Sequence, residues 1–498
     1  MDINKSLNSV GTFGAWQLWV FFWLFLLLFC TSAVNMAIEI PPFVCKSALT
    51  ENSNWTFAEI LNFTSPLTSQ GTFDSCRYYN INFTDYVPMT FQQAYQGRLK
   101  NGAQMKIEVS KCPTTSIKYF PTGMEHTIVT QWNLVCDRAV MVSNAQAVYM
   151  VGFLLGCMLS GCLADRFGRR KTIIWSGILL AVTSIVDPLI PEIYTFIIGR
   201  FLMAICCSCA MMTLYVLGLE LCNDRLRPAM GAMFFAVYAV GYVGLAGIAY
   251  LTRNWITMHI ICGSTGIFAL FYYWLIPESP RWLMVKNRKK EANDVLMWAA
   301  KWNQTELHLN VANAREAFDS ENKVKTENKS YMLCYPLLRW ARKKSLMLML
   351  SLAGASCLLY LAVPADLAWG QLFVAFAGKF AITASFNLVY IVTLELYPTP
   401  VRGSAVAFSS MVSRTGSIVA PYAALIAQKN KALTAVPMVL FGIVALSAAV
   451  FAVFLPETQG KPLSKTLQES INYKKASDCN TEKKTSIWDC SCCENLTT

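Results

Sequence analysis

Apolar residues in this chain gather into long runs instead of alternating with polar ones. The first run covers about 16–37, and others follow at about 143–163, 172–190, 193–219, 229–250 and 255–276. After a polar interval, four more cover about 345–364, 370–394, 403–427 and 433–455. As helix, a run of this length crosses roughly 30 Å of hydrocarbon at about 1.5 Å per residue. The pattern predicts an all-α polytopic membrane protein of ten spans, six before the interval and four after it. The first run lacks a basic start and a small-residue cleavage site, so it reads as a retained span instead of a signal peptide.

Composition agrees: 55% of the 498 residues are apolar and only 14% are charged. The net charge of +12 does not point to nucleic acid, because the basic residues crowd into short segments beside apolar runs, at 166–171, 225–227, 281–290 and 339–344. With alternating spans these segments fall on one side, which the positive-inside rule makes the cytoplasm, together with both termini. The long segment 39–141 then lies outside. It holds acceptor sequons at Asn54, Asn62 and Asn82 and four cysteines, Cys45, Cys76, Cys112 and Cys136. In an oxidising compartment these suggest glycosylation and two disulfides, with three pairings open. Sequons at Asn303, Asn328 and Asn495 fall on the cytoplasmic side and are expected to stay bare. The remaining cysteines mostly lie in spans, where a thiol behaves as a small apolar group.

The expected organisation is a cytoplasmic N-terminus (1–15), a six-span bundle (16–277) that includes the outer loop, a cytoplasmic linker (278–344), a four-span bundle (345–456) and a cytoplasmic tail (457–498). Residues 281–338 are rich in charge, hold no apolar run long enough to span, and include the helical pattern "KKEANDVLMWAAKW". They read as linker. The tail's "CSCC" (490–493) is too short a cluster to indicate a metal site.

The two halves echo each other. "GRF" (199–201) and "GKF" (378–380) each open a span, followed by "YVLGLEL" (215–221) and "YIVTLEL" (390–396). Glu220 precedes Arg227, and Glu395 precedes Arg402, by seven residues in both cases. "DRFGRRK" (165–171) has a weaker echo in "LRWARKK" (338–344), which lacks the acid and the glycine. Two spans precede the basic motif in the first half and none in the second, so the second half lacks a pair. Parallel repeats of this kind frame the substrate site in many transporters.

The outer loop after the first span, "GCLADRFGRRK" (161–171), "PESPRWL" (277–283), "GKFAITASF" (378–386), "ELYPTPVRG" (395–403) and "LPETQGKPL" (455–463) resemble the organic cation, organic anion and carnitine transporter family of the major facilitator superfamily. The resemblance covers nearly the whole chain. It implies a two-bundle fold, transport of small organic ions by alternating access, residence in the plasma membrane and no cofactor. Family members have twelve spans in two sets of six. This chain departs where the seventh and eighth belong, and its outer loop has four cysteines where the family usually has six.

Arg414, in "MVSRTGSIVAP" (411–421), is the leading candidate for substrate contact. A centrally placed arginine costs roughly 2.5–3.5 kcal/mol on insertion scales, so it faces a protein interior or a wet cavity. Its planar fork suits a carboxylate or sulfate. In the family this position tends to be arginine in the anion and carnitine branches and aspartate in the cation branch. The competing reading is that Arg414 braces the bundle. Lys379 mirrors Arg200, both near a span's outer third, where long side chains snorkel. Asn35, Gln146 and Asn387 are candidate hydrogen-bond donors, although glue between helices is the commoner role. Tyr238, Tyr242, Phe386, Tyr390 and Tyr422 are candidates for an aromatic cage. Asp165, Arg166, Gly168 and Arg169, and the pairs Glu220 with Arg227 and Glu395 with Arg402, are expected to act as cytoplasmic latches between rocking states.

Nothing in the sequence points to an enzyme. It has no phosphate-cradling glycine loop and no metal-binding pattern, and its three histidines are scattered. Two functions remain: a transporter of small organic anions or zwitterions, with an organic cation or carnitine type as its variant, or a transport-incompetent truncated form that binds ligand or pairs with another copy or a full-length relative. The expected partners are a small organic ion, the bilayer and such an oligomer, and no nucleic acid.

Overall fold

The computed structural model describes residues 14–33, 40–52, 54–67, 73–102, 108–113, 115–120, 123–222, 227–304, 342–364, 367–396, 402–429 and 435–455. Asn35, the N-terminus, the second part of the linker and the tail lie outside the described residues, as do the side chains of Arg227, Glu395 and Arg402.

A long helix stands at each expected position: α1 (Ala15–Ala33), α2 (Val140–Phe167), α3 (Arg169–Val186), α4 (Ile193–Glu220), α5 (Arg227–Thr252), α6 (Trp255–Ser264, extended by 3-10 and helical turns to Leu275), α7 (Arg342–Ala362), α8 (Ala368–Leu396), α9 (Arg402–Lys429) and α10 (Ala435–Phe451). Among the described residues, eight of these are long and apolar enough to cross a membrane; α1 and α9 are the two outside that group. Breaks fall where backbone chemistry requires them. Gly168, at φ 100°, separates α2 from α3, a conformation L side chains avoid. Asn254 caps α6 by accepting from the Ile256 N–H.

Contacts divide the chain into two units: Met1–Leu307 with Ser417–Leu425, and His308–Gly416 with Ile426–Thr498. In the first unit, Val20, Leu24 and Leu27 of α1 pack with Phe153 of α2, Met203 and Cys207 of α4 and Phe234 of α5. Helices α2 and α4 meet through small residues. A Cβ on Gly156 would lie 1.9 Å from Ser208 Oγ and 2.6 Å from the Ile205 carbonyl. The first part of the expected linker joins this unit. Helix Lys289–Asn303 sets Trp298 edge-on to Trp16, with ring centroids 6.0 Å apart. Asn303 Nδ2 donates to Gln17 Oε1 at 2.8 Å, so this sequon asparagine is taken up in packing.

The outer segment is a small domain on the first unit. Strand β1 (Phe43–Cys45) pairs antiparallel with β4 (Ile117–Tyr119), and β2 (Arg77–Tyr79) with β3 (Val109–Lys111). Disulfides join Cys45 to Cys112 and Cys76 to Cys136, resolving the pairing that the sequence leaves open. Arg98 lies over the rings of Phe63, Tyr79 and Tyr95, 4.9–5.6 Å from their centroids. The domain is clamped to the bundle by Trp132 Nε1 donating to the Pro191 carbonyl at 2.8 Å and Trp255 Nε1 donating to Gln131 Oε1 at 2.9 Å. Asn54 and Asn82 are exposed, and Asn62 is half-buried.

In the second unit, α7 packs against α8 and α10. A Cβ on Gly354 would lie 2.7 Å from Leu446 Cγ, and one on Gly378 would lie 2.3 Å from Ser356 Oγ. Trp369, Phe373, Phe376 and Phe380 form an exposed stripe along α8 at helical spacing.

Candidate functional site

The candidate residues fall into clusters, each held within one unit. In the first unit, charged groups meet where α2 turns into α3. Arg169 Nε and Nη2 each donate to a different Glu220 carboxylate oxygen at 3.1 Å, and Nη1 donates to the Ala164 carbonyl. Asp165 Oδ1 lies 2.9 Å from Arg169 Nη2 but is largely exposed, whereas Arg169 and Glu220 are only 11% and 19% exposed. The two-pronged, partly buried pair is the stronger contact. Arg166 is exposed and lies over the Phe167 ring.

A fourth group completes this cluster. Glu278 accepts from the backbone N–H groups of Arg169 and Arg170, at 2.9 and 3.2 Å, and of Ser279 at 3.0 Å. A carboxylate at the first turn of α3 answers donors that the helix cannot satisfy itself. Burial pushes the Glu278 carboxyl up, and the N–H groups partly hold it back. A Cβ on Gly168 would meet Glu278 Oε2 at 2.4 Å, so a glycine is needed there for space as well as for φ. The sequence signal for it is "PESP" (277–280), part of the "PESPRWL" that carries the family resemblance.

The aromatic candidates divide between the units. On α5, Tyr238 and Tyr242 stand four residues apart with hydroxyls 3.4 Å apart and rings edge to face. Gln146 of α2 is half-buried. Tyr422 belongs to the stretch grouped with the first unit. Its hydroxyl donates to Asn144 Oδ1 at 2.9 Å, and Ser143 Oγ donates to the Pro421 carbonyl at 3.3 Å. Asn144 and Ser143 were not anticipated.

In the second unit, Phe386 and Tyr390 of α8 stand edge to face, 4.9 Å apart. Tyr390 Oη and Ser410 Oγ of α9 are 3.3 Å apart. Arg414, one helical turn beyond Ser410, is half-buried. Residues four apart share a helix face, and helical side chains lean toward the N-terminus. Arg414 therefore stands on the face of α9 that meets Tyr390. Lys379 is exposed, and Asn387 Nδ2 donates to the Thr383 carbonyl of its own helix.

Arg200 departs from the expectation placed on it. It does not snorkel: it is 3% exposed, with its guanidinium 4.7 Å from the centre of the Tyr149 ring. The face of an aromatic ring offers a buried cation partial compensation for lost water.

The family described as Sugar (and other) transporter matches residues 77–363, and the Major Facilitator Superfamily matches residues 331–488. The organic cation transporter protein of Drosophila melanogaster is 26% identical over 548 aligned positions, covering 95% of both chains. Human solute carrier family 22 member 2 is 26% identical, covering 95% of this chain and 96% of its own. Mouse solute carrier family 22 member 3 is 27% identical, with 97% and 98% covered. Among solved structures, a double-tryptophan mutant of XylE matches with a TM-score of 0.50 at 18% identity, over 67% of this chain and 92% of that one. Its likeness concerns the fold. The chain belongs to the sugar (and other) transporter family of the major facilitator superfamily, within the organic cation, organic anion and carnitine branch of these multi-pass membrane transporters.

Proposed function

We propose that this transporter of organic ions carries small organic anions or zwitterions across the plasma membrane by alternating access, with both termini in the cytoplasm and Arg414 as the anion contact. One arrangement carries the reading: Arg414 shares the face of α9 whose Ser410 meets Tyr390, which itself stands edge to face with Phe386. A guanidinium keeps its charge at any physiological pH and presents paired donors to a carboxylate. The neighbouring rings supply the flat apolar surface that the rest of such a substrate needs. Tyr238, Tyr242, Tyr422, Gln146, Asn35 and Lys379 are proposed as further substrate contacts. The cluster of Asp165, Arg169, Glu220 and Glu278, with Arg166 and Gly168 beside it, is proposed as the cytoplasmic latch of the first bundle, and Glu395 with Arg402 as its counterpart.

A second reading rests on a separate observation. The alignment to the Drosophila relative spans 548 positions, and this chain has 498 residues, so at least 50 positions of the relative have no match here. That supports an internal loss of about two spans with their connection. A chain without them is proposed either to transport with its bundle resealed or to require a second chain. Uptake of a labelled organic anion and a labelled organic cation by cells expressing the chain separates the readings. Saturable anion uptake abolished by Arg414→Asp supports the first. No uptake of either ion, despite glycosylated protein at the surface, supports the second. Cation uptake alone contradicts the assignment of charge.

A further inference from the structure

A second set of buried charged groups lies at the opposite end of the first unit from the latch, beneath the outer domain. Asp187 follows α3 and is 2% exposed, Arg200 of α4 is 3% exposed and His259 of α6 is 1% exposed. The Asp187 carboxyl is wedged between elements: a Cβ on Gly199 would fall 1.8 Å from its Oδ1. Neither carboxyl oxygen has a hydrogen-bond partner, and Arg200 Nη1, His259 Nε2 and Ser184 Oγ also have none. Arg200 follows the Gly199 that abuts the Asp187 carboxyl, yet it forms no ion pair with that carboxylate. Its cation rests instead on the Tyr149 ring.

The turn that opens with Asp187 packs against α3, α4 and α6. Its own helix brings Ser184, which is neutral, α4 brings Arg200 and α6 brings His259, while Glu192 at the start of α4 is exposed. Above them, Phe196 and Trp255 pack with Trp132 of the outer domain. The outer domain thus covers the cluster. An ionised carboxylate without a single donor is unfavourable at this depth. Arg200 cannot give up its charge, and a second cation on His259 would face it. Taking up a proton at Asp187 is the remaining way to remove a charge.

We propose that Asp187 is a proton-binding site beneath the outer domain, holding a proton in the described conformation. In the alternative state, Asp187 releases that proton to water and pairs directly with Arg200, while His259 stays neutral in both. One proton leaves the carboxylic acid and enters water, and nothing is oxidised. The site is built from residues outside the Arg414 cluster, and its occupancy is measurable without any transport.

Infrared spectroscopy of the purified full-length chain in lipid nanodiscs provides the test. Among the described residues, Asp187 is the one buried aspartate. Protein carrying heavy-carbon-labelled aspartate is therefore expected to show, at neutral pH, one carboxylic-acid carbonyl band that moves down relative to unlabelled protein and moves again in heavy water. Asp187→Asn is expected to remove the band and His259→Gln to retain it. Labelling needs no substitution, so the result stands even if Asp187→Asn fails to fold. Absence of a label-sensitive carboxylic-acid band throughout about pH 5 to 8 overturns the proposal, as does a band that persists in folded Asp187→Asn.

Discussion

Arg169 and Glu220, 51 residues apart in sequence, meet through two parallel 3.1 Å hydrogen bonds in a largely buried setting. Lysine keeps the charge but not the fork, so Arg169→Lys should cost about 1–2 kcal/mol. Arg169→Ala, which strands the Glu220 carboxylate, should cost about 3 kcal/mol. Thermal unfolding in detergent ranks the two. Equal melting for both variants would show that the pair is not a structural clasp.

Glu278 supplies a pH signature. Because burial raises its carboxyl above the unfolded value, the folded state holds that proton more tightly. The group's contribution to stability is then fully present below its unfolded pKa and is lost as pH rises through the folded one. Glu278→Gln keeps an acceptor for the Arg169 and Arg170 N–H groups. The gap in melting temperature between wild type and Glu278→Gln should thus shift in favour of wild type as pH falls from about 8 to about 5. A shift in the opposite direction would mean that the N–H donors outweigh burial.

These two residues also mark what the sequence made readable. Helices at the ten apolar runs followed from length and hydropathy, because a span must bury its backbone bonds within itself. Arg169 and Glu220 are legible as latch candidates from the sequence, but their meeting across α3 and α4 is not; the expected partner of Glu220, Arg227, has its side chain outside the described residues. Sequence spacing reports neighbours along one helix; a contact between helices needs the packing. Asp187 is not legible for the same reason, since nothing near it in sequence shows that Gly199 of α4 closes on its carboxyl. The sequence puts Arg200 at snorkelling depth because depth along a helix is readable, while the facing ring of Tyr149, on α2, is not. Tyr238 with Tyr242, four apart on one helix, was within reach of the sequence.

The outer domain depends on its bridges. Cys45–Cys112 and Cys76–Cys136 close loops of 67 and 60 residues, for which loop entropy gives about 4 kcal/mol each in the unfolded-state model. Peptide mapping without reduction should recover these two pairs. A Cys76→Ser chain should reach the cell surface at a fraction of the wild-type level, because so small a domain has little core to spare. Recovery of Cys45–Cys76 would refute the pairing.

Close approach of α2 and α4 predicts a steep cost for size. In Gly156→Ala the new methyl would press on the Ile205 carbonyl, 2.6 Å away, and backbone cannot swing aside as a side chain can. The expected loss is about 1–3 kcal/mol, whereas Gly161→Ala, with nothing within 4 Å, should be near neutral. Comparing their melting temperatures isolates helix packing from helix propensity.

The central claim is that Arg414 binds the substrate's negative charge, and the most direct measurement is initial-rate uptake by the purified chain alone in proteoliposomes. With a labelled carboxylate-bearing organic anion, wild type should show saturable uptake, and Arg414→Asp should reduce it at least tenfold, the factor that about 1.4 kcal/mol of lost binding represents. Saturable anion uptake left intact by Arg414→Asp would contradict the account.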